Sequence, residues 1–243
     1  MTTRIAEVGR DTYQISTYMP DIDFAVNQYL VTADEPLLFH TGMRGLFPET
    51  RDAIASVIDP TTLRWISFGH VEADECGAMN EFLMLAPGAT VLFGQLGCML
   101  TLGDIADREP RAVADGEVVE IGNHRVRWID TPHLPHGWEA GLLYDETTRT
   151  LFCGDLFSTM GAFDATTTDD IVAPAIAAED GMPSMSLHPR SGQLIRALAD
   201  LDVDKLALMH GPVFTGDCEG ALLALADDAD RRVAAAVPTA AIA

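Results

Sequence analysis

The stretch Phe68-Gly69-His70-Val71-Glu72-Ala73-Asp74-Glu75-Cys76-Gly77 comes directly after an apolar segment that predicts a β-strand. His70, Glu72 and Asp74 stand at alternate positions, and alternate residues of an extended chain point the same way. We therefore expect these three side chains to converge on one point, with the small apolar residues between them packed behind. All three belong to residue types that bind metal ions. The competing interpretation is a polar loop in which Asp74 caps a helix N-terminus.

Three later segments repeat this arrangement, in which a predicted strand ends at His or Asp beside Gly or Pro. They are residues 130–138 with His133 and His136, residues 151–155 with Asp155, and residues 206–212 with His210. Rigid scaffolds usually carry their binding and catalytic residues on such loops. One histidine of this kind is more often structural, but four strand ends of this kind favour a metal site. Either histidine of the first segment could be its ligand.

Apolar periodicity along the chain predicts two halves, each with strands followed by helices. We predict strands at residues 12–19, 25–33, 36–42, 63–69, 90–95, 117–121, 125–129, 141–144, 151–154 and 205–209, and helices at 46–58, 73–85, 96–106, 191–201 and 220–237. The first three strands should form an antiparallel meander, and residues 234–243 a frayed helix tail. Elements in this order favour an α+β fold, an αββα sandwich of two sheets between helices, in one domain spanning residues 1–243.

Composition narrows the classes of partner. The chain has 15 Lys plus Arg against 37 Asp plus Glu, a formal net charge of −22 that repels nucleic acid and anionic membranes. The apolar runs are too short to span a bilayer, and the first residues lack a signal-peptide pattern, so we expect a cytoplasmic protein. The four cysteines form no C-x-x-C pair and are expected to be buried thiols.

The series His70-x-Glu72-x-Asp74, His136, Asp155 and His210 resembles the metallo-β-lactamase superfamily. Within it, the series is most similar to flavodiiron proteins and single-domain oxygen-binding diiron proteins, whose first motif is H-x-E-x-D, whereas zinc hydrolases carry H-x-H-x-D-H. The likeness extends to Asn27-Gln28-Tyr29-Leu30-Val31 in the first sheet.

This resemblance implies the metallo-β-lactamase-like αββα sandwich, two iron ions and a homodimer. It implies one metal on His70, Glu72 and His136, the other on Asp74 and His210, and Asp155 between them. Three imidazoles and three carboxylates suit iron or manganese, and zinc is also possible. The spacing favours His136 over His133, and we expect His133 to orient a ligand.

Two positions depart from the family pattern. Many relatives carry His directly after the Asp of the motif, where this chain has Glu75. The second metal could then lack a nitrogen ligand, gain a carboxylate or be completed by water. An acidic residue is common before Thr-Gly in the first sheet, and here that position is His40, which we interpret mainly as a core histidine or one that supports a metal ligand.

The resemblance implies a protein that binds O2 or NO and reduces it. No phosphate-binding loop for FMN is evident, so we expect electrons from an external flavoprotein or rubredoxin-like donor. The alternatives are an O2 sensor without turnover and a zinc-dependent hydrolase, which Glu72 argues against. We expect the side chains of Trp138, Phe157, Met160 and Phe163 around the site.

Overall fold

The computed structural model describes residues 1–236, which contain two seven-stranded β-sheets. The first sheet runs in sequence order: β1 (Thr2–Gly9), β2 (Thr12–Met19), β3 (Phe24–Val31), β4 (Leu37–Phe39), β5 (Trp65–Ser67), β6 (Thr90–Gly94) and β7 (Arg111–Val113). Strands β1 to β4 pair antiparallel, as the predicted meander requires, and β4 to β7 pair parallel. The switch to parallel pairing directs the chain after β5 to one end of the sheet.

The second sheet is built from the rest of the chain. Its strands are β8 (Val118–Glu120), β9 (Arg125–Asp130), β10 (Gly141–Asp145), β11 (Thr150–Phe152), β12 (Thr166–Thr167), β13 (Lys205–Ala207) and β14 (Val213–Phe214), in the order β12-β14-β13-β11-β10-β9-β8. Strands β10 and β11 form an antiparallel hairpin. Because β11 and β13 are parallel, the residues that follow them lie at the same end of the sheet.

Helices lie outside both sheets. They are α1 (Phe47–Ala55), α2 (Ala73–Cys76), α3 (Met79–Leu85), α4 (Gln95–Gly97), α5 (Gly103–Ile105), α6 (Val172–Gly181), α7 (Ser191–Ala199) and α8 (Cys218–Ala236), with 3₁₀ turns at Arg44–Leu46 and Pro60–Thr62 and a π-helical segment at Cys98–Leu102. No helix among residues 1–236 is long and apolar enough to cross a membrane.

Two apolar clusters hold the layers together. The larger fills the space between the sheets, where Phe39 and Phe152 face each other with ring centroids 5.0 Å apart. It continues outward to α1 and α3 through Ile54 and Phe82. The second cluster packs α6, α7 and α8 on the outer face of the second sheet. The predicted αββα four-layer sandwich is therefore confirmed, and the four cysteines are buried free thiols as expected.

Several element predictions were incomplete. Strands β1, β7, β12 and β14 and helix α6 were not predicted. Most residues of β1 are only half-buried, so this edge strand lacks the apolar alternation that marks a strand in sequence. The predicted helix over residues 73–85 is two helices, α2 and α3. The last residue of the predicted final helix and the tail beyond Ala236 lie outside the described residues.

Candidate metal centre

The six predicted ligands meet at one end of the two sheets. His70 and Glu72 follow β5, and Asp74 lies in the first turn of α2. His136 comes from the loop between β9 and β10, Asp155 follows β11, and His210 follows β13. The first sheet and the second sheet therefore each deliver three of the six side chains.

Four of these residues form a compact group. Glu72 Oε2 lies 2.8 Å from Nε2 of both His70 and His136. Asp155 Oδ2 lies 3.6 Å from His70 Nε2 and 3.7 Å from His136 Nε2. One ligand atom of each residue lies within 4.8 Å of those of the other three, a spacing compatible with ligands that each stand about 2 Å from a shared ion.

The other two residues lie on the opposite side of Asp155. His210 Nε2 is 3.3 Å from Asp74 Oδ2 and 3.2 Å from Asp155 Oδ1. The Nδ1 of His210 donates to the backbone carbonyl of Ala25 at 2.8 Å, which leaves Nε2 free to face the carboxylates. The two oxygens of Asp155 thus face different groups of side chains, as a residue between two metals requires.

The predicted alternation over residues 70–74 is correct only for its first half. Glu72 is extended, with φ −137° and ψ 159°, but Asp74 is already helical. Asp74 reaches the site from the first helical turn, and Ala73 is exposed, so the expectation that Ala73 packs behind the ligands was wrong. Glu72 rather than Asp74 occupies the N-cap position, and its side chain makes no capping hydrogen bond.

Glu75 does not join the six residues. It is fully buried, and the backbone N–H groups of Gly69 and His70 donate to its Oε2 at 2.6 and 2.7 Å. Its Oε1 lies 3.4 Å from Nε2 of His40, which is also fully buried. His40 is therefore a core histidine, as interpreted from the sequence, and its neighbour is the other residue that departs from the family pattern.

Other histidines make contacts away from the six residues. His133 stacks on His188, with ring centroids 4.8 Å apart, and makes no hydrogen bond to a predicted ligand within the described part of the chain. The role we expected for it, orienting a ligand, therefore has no contact to support it. His124, in the turn between β8 and β9, is 1% exposed, and its Nδ1 lies 2.8 Å from Asp145 Oδ2. No local pattern reveals this contact because Asp145 lies at the end of β10, far from His124 in the sequence.

The acidic side chains govern the protonation of the site. Burial would lower the pKa of His70, but the carboxylates of Glu75, Glu72 and Asp155 outweigh it and raise that pKa to about 11. Burial would likewise lower the pKa of His210, whereas Asp155 and Asp74 raise it to about 10. The hydrogen bond with His70 is the main cause that lowers the pKa of Glu72 to about 2. Protons on His70 and His210 thus offset the negative charge of the carboxylates, as a bound metal cation would.

The site also contains polar atoms that its own residues do not satisfy. Among the described residues, Asp74 Oδ1, Asp155 Oδ1 and His136 Nδ1 are buried and have no hydrogen-bond partner. Buried polar atoms are normally paired, so unpaired carboxylate oxygens beside imidazoles fit a site that binds a cation. Three imidazoles and three carboxylates, with no thiolate, fit iron or manganese.

A cavity of about 460 Å³ opens onto five of the six residues, all except His70. Phe157 and Met160 line it as expected, together with Phe24, Met185 and the inner face of α6. Trp138 does not line it and is 56% exposed, and Phe163 borders a different cavity. The expectation for the surroundings of the site was therefore right for two of four side chains.

The chain matches the family described as ODP family beta lactamase over residues 24–211. The match includes all six clustered residues and every strand from β3 to β13. The chain belongs to the ODP family. Among curated relatives, this ODP-family chain is 28% identical to diflavin flavoprotein A 1 of Synechocystis sp., over 79% of the chain and 35% of the relative. It is 27% identical to the flavo-diiron protein FprA2 of Clostridium acetobutylicum, over 78% and 49%.

Solved structures agree on the fold. Rubredoxin oxygen:oxidoreductase from Desulfovibrio gigas aligns with a TM-score of 0.83 at 18% identity, over 93% of the ODP-family chain and 62% of that protein. A flavoprotein from Thermotoga maritima aligns with a TM-score of 0.82. The chain therefore spans about half, or less, of the length of these two curated relatives and about three fifths of these two solved structures.

Proposed function

We propose that this protein is a non-haem diiron protein that binds O2 or NO and reduces it with electrons from an external donor. The observation that carries the proposal is the position of Asp155, whose two oxygens face two separate groups of nitrogen and oxygen ligands. The names of the relatives, a flavo-diiron protein and a rubredoxin oxygen:oxidoreductase, support the same chemistry.

Each residue has a distinct part in this proposal. His70, Glu72 and His136 would hold one iron, Asp74 and His210 the other, and Asp155 would offer one oxygen to each. When bound, the pair of irons supplies electrons and open coordination positions for a diatomic gas. The protein fixes the ligand geometry and the local charge.

The walls of the cavity suit a small uncharged gas. Phe24, Phe157 and Met160 place apolar side chains next to Asp155 and His210. Ligand pockets with mostly apolar walls and a few polar groups favour small uncharged ligands.

The partners are part of the proposal. A flavoprotein or a rubredoxin-like protein would supply the electrons, and the net charge of −22 favours a donor with a cationic face. We further propose a single domain, a homodimer and a cytoplasmic location. Iron is the proposed metal, with manganese or zinc as substitutes.

Gas consumption tests the proposal directly. Protein loaded anaerobically with ferrous iron should consume O2 or NO when a reduced flavoprotein is supplied, as measured with a gas electrode. Asp155→Asn should abolish most of the consumption. Glu139→Gln is the matched control, because it makes the same charge change where Glu139 accepts a hydrogen bond from the Val71 backbone outside the ligand group. Consumption unchanged by Asp155→Asn would contradict the proposal.

One observation favours sensing as a second candidate. Because Glu75 faces His40, the second group within residues 1–236 offers Asp74, His210 and the shared Asp155, which leaves more positions open on that metal than on the first. A stable oxygen adduct without turnover would support the sensor. Hydrolysis of a lactone or thioester by zinc-loaded protein would instead support a hydrolase.

A further inference from the structure

Glu75 places a buried carboxylate directly behind a predicted metal ligand. Its Oε2 accepts the backbone N–H groups of Gly69 and His70. Its other oxygen, Oε1, lies 3.1 Å from Nδ1 of the His70 ring and 3.4 Å from Nε2 of the His40 ring. Glu75 therefore contacts His70 from the side opposite to Glu72, which lies at His70 Nε2.

Space for this carboxylate is built into the surrounding backbone. A Cβ added to Gly69 would lie 3.2 Å from both Glu75 oxygens, and one added to Gly154 would lie 3.4 Å from Oε1. Gly154 also has a positive φ of 50°. Gly69 precedes the ligand His70 and Gly154 precedes the ligand Asp155, so the two ligand-bearing loops both approach Glu75.

Three buried atoms meet here without hydrogen bonds of good geometry. Glu75 Oε1, His70 Nδ1 and His40 Nε2 have no such partner among the described residues, although each lies within 3.4 Å of another of the three. Buried polar atoms seldom remain unpaired. The carboxylate oxygen lies within 3.4 Å of a nitrogen of both imidazoles, and the chemistry of each ring decides which atom donates.

The neighbours of His40 show which groups its two ring nitrogens face. Its Nδ1 is 3.3 Å from the backbone carbonyl of Asn27, which can only accept, so Nδ1 carries a proton. Its Nε2 faces the carboxylate of Glu75, which also accepts. His40 therefore lies between two acceptors, and its Nε2 side holds the Glu75 carboxylate in place.

The neighbours of His70 also indicate which of its ring nitrogens carries the proton. A metal bound at Nε2 requires the lone pair of that atom, so the proton of the neutral ring resides on Nδ1. Nδ1 faces Glu75 Oε1. Carboxylates placed behind ligand histidines fix the tautomer and the ring orientation, and they make the ring a stronger ligand.

We propose that Glu75 is a positioning residue for His70, held in place by His40. The two departures from the family pattern, an acid at position 75 and a histidine at position 40, are then one reciprocal exchange between contacting residues. The inference rests on the metal centre of the proposed function but not on its gas chemistry.

Zinc-loaded protein tests the proposal without iron or gas. In the unmodified protein, long-range ¹H–¹⁵N NMR of the imidazoles should show His70 protonated at Nδ1 and bound to zinc through Nε2. Glu75→Gln keeps the side-chain size and the acceptor for the two backbone N–H groups but presents an amide to the ring. It should lower zinc affinity at the tighter site about 10–100-fold, measured by competition with a chromophoric chelator, and shift the His70 nitrogen signals.

Two matched variants separate positioning from folding. Glu139→Gln makes the same carboxylate-to-amide change near the same loop without touching an imidazole, so it should leave zinc affinity and the His70 signals unchanged. Glu75→Asp keeps the negative charge and should retain more affinity than Glu75→Gln. A purely structural role would lower the unfolding temperature of metal-free protein without moving the His70 signals.

Each outcome has a definite meaning. Equal zinc affinity in Glu75→Gln and the unmodified protein, or an equal loss in Glu139→Gln, would overturn the proposal. If Glu75→Gln does not fold, the unmodified protein still decides: zinc on Nδ1 of His70, or a proton on its Nε2, overturns the proposal. If the unmodified protein binds no zinc, the proposed metal centre fails as well, whereas intact zinc binding without gas consumption leaves the role of Glu75 standing.

Discussion

Asp155 Oδ1 lies 3.2 Å from His210 Nε2, while its other oxygen faces the opposite group of ligands. Replacing one oxygen by an amide nitrogen, in Asp155→Asn, removes a negative charge and one of the two acceptors. We expect metal content to fall from two equivalents toward one or fewer, measured by elemental analysis after loading and desalting. Glu139→Gln serves again as the charge-matched control, and two retained equivalents in Asp155→Asn would show that Asp155 is not shared.

The two groups of ligands should bind metal unequally. His70, Glu72, His136 and Asp155 supply four residues, whereas the other group has Asp74 and His210 with the shared Asp155. A zinc titration followed by calorimetry should therefore show a tight step and a weaker one. Loss of an outer partner alone costs about 10–100-fold in affinity, so loss of a direct ligand should cost at least as much.

Substitution of single ligands assigns the two steps. Asp74→Asn should weaken only the second step, and Glu72→Gln mainly the first. A single step of two equal sites in the unmodified protein, or both steps weakened alike by Asp74→Asn, would contradict the assignment.

The contact between His124 and Asp145 predicts a pH dependence of stability. The hydrogen bond to Asp145 is the main cause that raises the pKa of His124, while burial opposes it. Burial would raise the pKa of Asp145, but His124 and neighbouring donors lower it. The pair therefore stabilises the fold above the unfolded pKa of Asp, about 3.9, and below that of His, about 6.5. Its contribution declines as pH rises through the folded pKa of His124.

We expect His124→Gln to cost about 1–3 kcal/mol of unfolding free energy at pH 5.5 and less at pH 9. Urea unfolding in the presence of a chelator measures this without a contribution from bound metal. His188→Gln, in a more exposed segment, should cost within about 0.5 kcal/mol at both pH values. A cost of His124→Gln that does not change with pH would contradict the ion-pair interpretation.

Close packing beside the site predicts a sensitive glycine. A Cβ at Gly141 would lie 2.2 Å from the ring of Trp128, which is fully buried, and the backbone N–H of Gly141 donates to the carbonyl of Gly69 at 2.8 Å. Gly141→Ala should destabilise the protein by about 1–3 kcal/mol in urea unfolding. Gly88→Ala, where nothing lies within 4 Å, should change stability by at most about 0.5 kcal/mol. Equal stability of the two variants would show that Trp128 can move aside.

The positions of the clustered residues could be predicted because the signals are local. At His70, Asp155 and His210 the sequence itself shows an apolar strand that ends beside Gly or Pro with a side chain able to bind metal. This pattern can be recognised without knowledge of the rest of the fold. The direction of the Glu75 side chain could not be read in this way, because it depends on His40, which follows strand β4 and is distant in the sequence. Burial of His124 depends in the same way on Asp145.

Element prediction failed where burial was weak or the element very short. Strand β1 carries Thr3, Arg4 and Glu7 on a partly exposed edge, and β12 and β14 are two residues long. Helix α6 has almost no amphipathic signal, since its sequence VAPAIAAEDG is apolar around most of its circumference. Tertiary contacts, rather than local periodicity, decide the structure of such segments.

The origin of the six clustered side chains, three from each sheet, has a mechanical consequence. Each proposed metal takes ligands from both sheets, so each bound ion joins one half of the sandwich to the other at the end that carries the site. Because binding that is exclusive to the folded state adds to its stability, removal of metal should loosen the contact between the two sheets first at this end and leave the opposite end of the sandwich packed.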